Sequence, residues 1–509
     1  MTTSIPHIPT LQDAKANEAQ SRAPYAEALQ RHVAKKPTQI MVPGHSGRGD
    51  DMGARLASFF GEKAVELDLP LMLNGIDLGP DSPMQEAQQL AAEAWGAKRT
   101  WFMTNGASQA NRTAAVAARG LGERVLVQRN SHSSFSDGIL LTGLIPRFIT
   151  PSIDEEHGIS HGVTPSEIAA ALQSAVEEDR PIAAVYIVSP SYFGSVSDVN
   201  RIAEVCHRYE AALIVDGAWG AHFGFHEDLP ESPVRLGADL VISSTHKLAG
   251  SFTQSAMLHL GYGPFADELE TLIQRGVNMT ASTSASALLM GSLDIARQSM
   301  VAETELIGQS IELAREFREL VEADGRFSLI DTGFSGFGDI VDNDLLRVAI
   351  DVSKLGQSGH WVRDRLIEEH SVYFEMATAT TIVAVLGAGH LHPVADIMAS
   401  LQAVADEAQT LPPATLSFPP LPEPGDLRTL PRDAYFGESE IVSADEAVGR
   451  ISCDSLAAYP PGIPNLIPGE EITAETVAFL QAVATSPTGY VRGAVDPFVT
   501  RFRVRRMYG

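Results

Sequence analysis

Cysteine is almost absent from this chain: two residues, Cys206 and Cys453, in 509. Two thiols cannot build a disulfide framework or a Cys-rich zinc site, and no metal centre is expected. Long apolar runs are lacking as well. No stretch of about 18 or more apolar residues occurs, so no membrane-spanning helix is expected. The opening MTTSIPHIPTLQDAKANEAQ has neither the apolar core nor the cleavage pattern of a secretory signal, which makes the cytoplasm the expected address. Positive charge is scarce: Lys+Arg is 37 against 64 for Asp+Glu, a formal net charge of -27. Such a surface repels polyanions and excludes a general nucleic-acid or anionic-membrane binder. Any anionic ligand must be held by a local site working against that field.

What is present is a globular composition, 44% hydrophobic and 20% charged, in a chain long enough for two or three domains. Short apolar runs alternate with helical patterns between about Met41 and Leu260. The runs Trp101 to Thr104, Arg124 to Gln128, Ala183 to Val188, Ala212 to Asp216 and Asp239 to Ser243 read as buried strands. Asn111 to Arg119, Pro165 to Glu178 and Val199 to Tyr209 read as helices between them. This alternation predicts an α/β fold with a mostly parallel sheet covered on both faces. One long helical stretch is expected around Ala285 to Ala323. An α+β pattern follows, with strands Leu346 to Asp351 and Thr381 to Leu386 around a helix near His360 to His370. Thr410 to Pro431 holds seven prolines and reads as an extended linker, and a helix is expected over Thr473 to Ala484. The expected division is an N-terminal segment 1–40, a large domain 41–320, a small α+β domain 321–409, a linker 410–432 and a terminal subdomain 433–509.

Four strand ends carry the chemistry. In DLVISSTHKLAGSFTQSAMLH (Asp239 to His259) a strand runs into Ser243, Ser244, Thr245, His246 and Lys247. An amine at the carboxyl end of a strand sits where open α/β sheets bind ligands, and the hydroxyls beside it suit a phosphate. In ALIVDGAWGAH (Ala212 to His222) a strand ends at Asp216, 31 residues before Lys247. Alone, that carboxylate reads equally as a helix cap or a metal ligand. Opposite a lysine, it can keep a pyridine nitrogen protonated. In TNGASQANR (Thr104 to Arg112), Gly106, Ala107 and Ser108 open a helix whose free N–H groups form an anion site. In RNSHSS (Arg129 to Ser134), His132 falls beside the same crevice, where an imidazole either stacks on a flat ring or serves local packing.

These pieces resemble the bacterial ornithine/lysine/arginine decarboxylase family of pyridoxal-phosphate enzymes. The match rests on VPGHSGRGD, SPMQEAQQLAAEAWGA, TNGASQAN, RNSHSS, VDGAWGAHFGFH, SSTHK with Gln254, TSASALLMGSLDIAR and YPPGIPNLIPGEEIT. They follow the family's order from about residue 40 to the end. The resemblance implies a fold type I (aspartate aminotransferase-like) large domain with smaller α+β C-terminal domains. It points to the short form, since the N-terminal wing domain of the long form has no room here. It implies pyridoxal 5'-phosphate as cofactor, with Lys247 as the Schiff-base lysine and Asp216 as the pyridinium partner. Ala218 would lie under the ring and His132 on its other face, with Gly106, Ala107, Ser108, Ser244 and His246 near the phosphate. It further implies a homodimer or larger assembly with the site at the interface, where Ser282 or Thr283 of one subunit reaches the phosphate of the other. Glu375, in VYFEMATATT, and Trp219 would stand on the substrate side.

The activity so implied is decarboxylation of lysine, ornithine or arginine to the amine and CO2, with Lys247 or His246 returning the Cα proton. Two features depart from the family pattern: Ala107 replaces a common Thr, and the aromatic-Asn pair after Glu375 is missing. Other reactions of the same cofactor class (aminotransferase, lyase, amino-acid oxidase) and a non-catalytic regulatory paralogue are the alternatives.

Overall fold

The computed structural model describes residues 7–414, 421–459, 464–485 and 490–506. Residues 415–420 of the proline-rich segment and 460–463 of YPPGIPNLIPGEEIT therefore lie outside the described residues. The strands that position the site are, in chain order, β1 Arg99–Met103, β2 Arg124–Gln128, β3 Ile145–Ile149, β4 Ala184–Val188, β5 Ala212–Asp216, β6 Leu240–Ser243 and β7 Ala256–Leu260. They are followed by β8 Ser328–Leu329, β9 Arg347–Asp351, β10 Met376–Ala377 and β11 Thr381–Val385. The helices used below are α1 Pro24–Ala34, α2 Pro83–Trp95, α3 Gly106–Leu121, α4 Ser133–Thr142, α5 Pro165–Glu177, α6 Val199–Arg208, α7 Thr245–Leu248, α8 Ala287–Ala302, α9 Thr304–Asp324, α10 Gly359–His370 and α11 Ala474–Thr485.

The chain divides into two compact units. The first comprises Met1–Ala117, Ala212–Gln309 and Gly387–His390. Its strands lie in the order β1-β7-β6-β5. β7 runs antiparallel to both neighbours, while β5 and β6 are parallel, with Val215 opposite Val241 and Asp216 opposite Ile242. Every residue of β5, β6 and β7 is buried, as expected of strands whose sequences are continuous apolar runs rather than alternations. The second unit comprises Ala118–Ala211, Ser310–Leu386 and Leu391–Gly509. It contains β4-β2-β3, parallel throughout, and an antiparallel sheet β8-β9-β11-β10. Its C-terminal portion has its own core, with Leu456, Leu466, Ile472, Leu480, Phe502 and Val504 packed together. No helix among the described residues is long and apolar enough to cross a membrane.

Local signals account for the element ends. Ser82 caps α2 by accepting from the Gln85 N–H, Pro83 occupies the first turn, and Gly96 ends the helix at φ +77°. A Cβ at Gly96 would stand 2.7 Å from Arg235 side-chain atoms, so both conformation and space demand glycine. The helical stretch expected from Ala285 to Ala323 is instead two helices, α8 and α9. Glu303 leaves helical geometry at φ −104°, ψ 35°, its N–H bonding back to Ser299 and its carbonyl accepting from Ile307.

One buried ion pair anchors the N-terminal segment to α8. Asp294 and Arg297 are both fully buried. Asp294 accepts from the Tyr25 and Ala26 N–H groups at the start of α1, while Arg297 donates to the carbonyls of Gln20 and Arg22. Removing the carboxylate strands a guanidinium and two helix N–H groups inside the protein. Asp294→Ala is therefore expected to lose about 3–5 kcal/mol in denaturant unfolding. Asp294→Asn, which keeps one acceptor, is expected to lose less.

Candidate active site

The strongest constellation is built within the first unit, on the carboxyl ends of the parallel pair β5 and β6. Asp216, the last residue of β5, is 4% exposed. Its two oxygens accept from Asn111 Nδ2 at 3.0 Å and from the Ala218 N–H at 3.1 Å, which fixes the carboxylate plane. β6 ends at Ser243 and passes into the single helical turn α7, which carries His246 and half-buried Lys247. The turns after the two strands are tied directly, because the Ser244 N–H donates to the Ala218 carbonyl at 3.3 Å. Lys247 Nζ stands 3.5 Å from the centroid of the buried Trp219 ring, a close cation–π contact. His246 Nδ1 lies 2.7 Å from the Ser255 carbonyl, which orients its ring.

The glycine turn joins the same assembly. Gly106 takes φ +71° as the first residue of α3, and Gln254 Nε2 donates to Asn105 Oδ1 at 3.1 Å. Gly106, Ala107 and Ser108 thus begin a 16-residue helix whose first N–H groups have no intrahelical acceptor. The turn, Asp216, Ala218, Trp219, Ser244, His246 and Lys247 therefore belong to one assembly. A fixed buried carboxylate, a short-tethered amine and a helix start meet the three needs of a pyridine ring bearing an aldehyde and a phosphate, so these residues fit that cofactor.

Four other expected residues have local surroundings of their own. Ser282 and Thr283 are exposed on the turn before α8, where Ser282 Oγ receives the Ser284 N–H. His132 lies in the second unit and is exposed. It is the N-cap of α4, with Nδ1 3.2 Å from the Ser134 N–H and 2.7 Å from Ser134 Oγ. Glu375, exposed at the start of β10, bonds through its backbone N–H to Val383. Loop-fixing roles account for two other motif residues: His45 contacts Asp68 at 3.2 Å, and Arg48 pairs with Asp50 and Asp51. Glu470 and Glu471 lie before α11. Glu470 is buried against Arg129, while Glu471 binds Arg428.

Three residues escaped the sequence reading. Asn111 sits mid-helix and looks like any polar position until Asp216 is placed against it. Arg347, in the second unit, is 1% exposed. Burial pushes its guanidinium down to about 10 despite the opposing charges of Asp344, Glu375 and Tyr192. The signal available was a charged first residue on a strand with an apolar centre, RVAID. The third is His259 on β7. It is fully buried, with Nδ1 2.8 Å from Thr100 Oγ1 on β1 and Nε2 2.9 Å from Ser243 Oγ at the end of β6. Trp95 stacks on it at 5.4 Å and donates from Nε1 to the Ala221 carbonyl in the turn after Asp216. His259 thus braces the strand that delivers Lys247 and, through Trp95, the turn that follows Asp216.

The fold and these strand ends define the class: an α/β protein of the pyridoxal-phosphate fold type I. Serine palmitoyltransferase from Sphingomonas wittichii shares that fold with a TM-score of 0.51 at 16% identity, over 72% of this chain and 86% of its own. The lysine decarboxylase A structure from Pseudomonas aeruginosa is more similar in fold, with a TM-score of 0.78 at 22% identity, over 97% of this chain and 82% of that one. The chain belongs to the Orn/Lys/Arg decarboxylase family: residues 23–342 match the family's major domain and residues 427–489 its C-terminal domain. Among curated relatives, an arginine decarboxylase of Bacillus subtilis is 33% identical over 468 residues, 91% of this chain and 94% of that protein.

Burial holds the His259 imidazole neutral and pushes it down to about 3. In the unfolded chain the same group takes up a proton below about pH 6.5. Its contribution to stability is intact above that pH and is lost as pH falls toward about 3. The melting temperature should decline over this window, and His259→Gln should decline less steeply, as measured by calorimetry from pH 7 to 4.

Proposed function

We propose that this protein decarboxylates a basic L-amino acid, arginine, lysine or ornithine, with pyridoxal 5'-phosphate held on Lys247 and Asp216. The observation that carries the reading is a buried, doubly hydrogen-bonded Asp216 at the end of one strand and Lys247 in the helical turn that follows the adjacent parallel strand. When bound, the cofactor supplies a protonated ring that accepts the electron pair released at Cα as CO2 leaves.

The residues divide that work. Asn111 and the Ala218 N–H keep the Asp216 carboxylate in one plane, so it holds a proton at the ring nitrogen. The helix start at Gly106, Ala107 and Ser108, with Ser244 and His246, receives the phosphate by short-range hydrogen bonds that act despite the chain's negative charge. Lys247 holds the cofactor through its amine. After CO2 departs, Lys247, or His246 beside it, returns the proton at Cα, which balances the reaction to amine and CO2. His132 is assigned to the ring's free face. Glu375 is assigned to the distal ammonium or guanidinium of the substrate.

We assign the working form as a homodimer. Large apolar side chains on the first unit support this, with Ile40 94%, Met52 92%, Phe59 82% and Met72 71% exposed, more than a lone soluble subunit leaves to water in one stretch. The exposed Ser282 and Thr283 suit donation to a neighbouring subunit's site.

Product analysis with the three amino acids tests the reading. CO2 and the matching amine should appear in equal amounts, with arginine the first substrate to try because the relative matched at 33% identity bears that name. Lys247→Ala should abolish turnover while the protein stays folded. Ammonia, peroxide or keto acid as the main product would sink the assignment. Asn111→Ala should lower kcat/KM about tenfold, equivalent to a hydrogen bond to a charged group of about 1.4 kcal/mol. It should also loosen the cofactor, read by equilibrium dialysis.

A further inference from the structure

A cavity of about 710 Å³ lies wholly in the second unit, along the edge strand β3, and its lining includes none of the residues assigned above to catalysis. Five arginines line it against three carboxylates, in a chain with a net charge of -27. Two of the five are committed to the fold. Arg129 is buried against Glu470, and Arg428 lies between Asp426 at 3.0 Å and Glu471 at 2.8 Å. Of the other three, two share a single carboxylate. Glu178 is 3.2 Å from Arg147 and 3.9 Å from Arg180. Arg124 has no hydrogen bond or ion pair from its guanidinium to any described residue.

The sheet register explains why they converge. β2 and β3 pair in parallel with Arg124 opposite Ile145 and Leu126 opposite Arg147. Side chains two apart share a face, so Arg124 and Arg147 project from the same side of the sheet. Glu178 and Arg180 follow the end of α5, which packs over β3. Three guanidinium groups with one carboxylate leave a local surplus of two positive charges. An acidic protein gains nothing in solubility from concentrating cations in a concavity, and like charges so placed repel one another unless an anion joins them. The planar guanidinium fork matches phosphate and carboxylate oxygens in pairs.

We propose that this cavity binds a small polyvalent anion, with phosphate or carboxylate groups bridging Arg124, Arg147 and Arg180. The site is independent of the decarboxylase reading. Inorganic diphosphate is the probe, titrated calorimetrically into the full-length protein with excess pyridoxal phosphate present, so that the strand-end phosphate site is filled. Saturable binding is expected, weaker at higher salt, with inorganic phosphate weaker than diphosphate. Citrate in a parallel titration tells a carboxylate ligand from a phosphate one; either fits the site. The double variant Arg124→Gln/Arg180→Gln should weaken diphosphate binding at least tenfold. Glu178→Gln, which removes the competing carboxylate, should tighten it severalfold and keeps the test decisive if the double variant folds poorly. Absence of saturable binding by any of the three anions overturns the proposal, as does diphosphate affinity unchanged in Glu178→Gln and in a folded double variant.

Discussion

The candidate site depends on one carboxylate being held still inside the protein. A buried aspartate is costly unless its oxygens are satisfied, and Asp216 is satisfied by an amide from a distant helix and by a backbone N–H two residues on. Those two bonds place requirements on the neighbours. Asn111 must face inward from α3, which sets the rotation of that helix and therefore the direction of its opening turn at Gly106. Ala218 must offer its N–H back to Asp216, and the same residue's carbonyl receives Ser244. The carboxylate, the helix start and the lysine turn are thus geometrically dependent on one another.

Beneath this surface layer lies the triad Thr100, His259 and Ser243, which spans three adjacent strands. It is an expensive device, since three polar side chains are withdrawn from water. The outcome is a neutral imidazole with both nitrogens engaged, a rigid spacer between β1 and the end of β6. Trp95 extends that rigidity to the turn after Asp216. A site built on strands and braced from below keeps its geometry before any ligand arrives, which is where catalytic positioning is most economical.

Legibility in the sequence followed the range of the forces involved. ALIVD, RVLVQ and DLVIS are continuous apolar runs, and continuous runs bounded by turns can only be buried strands or buried helix, so β2, β5 and β6 were readable from neighbours alone. Asp216 ends one such run and Lys247 follows another within a turn, so their positions beyond the strands were readable. Asn111 was not, because its partner is 105 residues away and a polar residue mid-helix usually faces water. His259 sits inside an apolar strand, where a histidine carries no local sign of which strands it will join. Arg347 announced itself only as a charged strand residue. The break at Glu303 was missed because α8 and α9 abut with no glycine or proline between them. The arginine-lined cavity was invisible, since it is assembled from strand, helix end and the segment near residue 428.

The ion pair between Arg129 and Glu470 bears on how the chain is made. Arg129 immediately precedes the turn that carries His132, and its guanidinium lies against the Phe148 ring at 5.0 Å. Its partner carboxylate is encoded 341 residues later. At a synthesis rate of about 5–20 residues per second, that strand end waits roughly 20 to 70 s for its counter-charge. During that interval an arginine destined for the interior has only water and an aromatic face to satisfy it. The part of the second unit around Arg129 therefore cannot be completed before the C-terminal portion is made. That turn takes its final form only when the C-terminal portion arrives, and until then the Arg129 guanidinium stays hydrated.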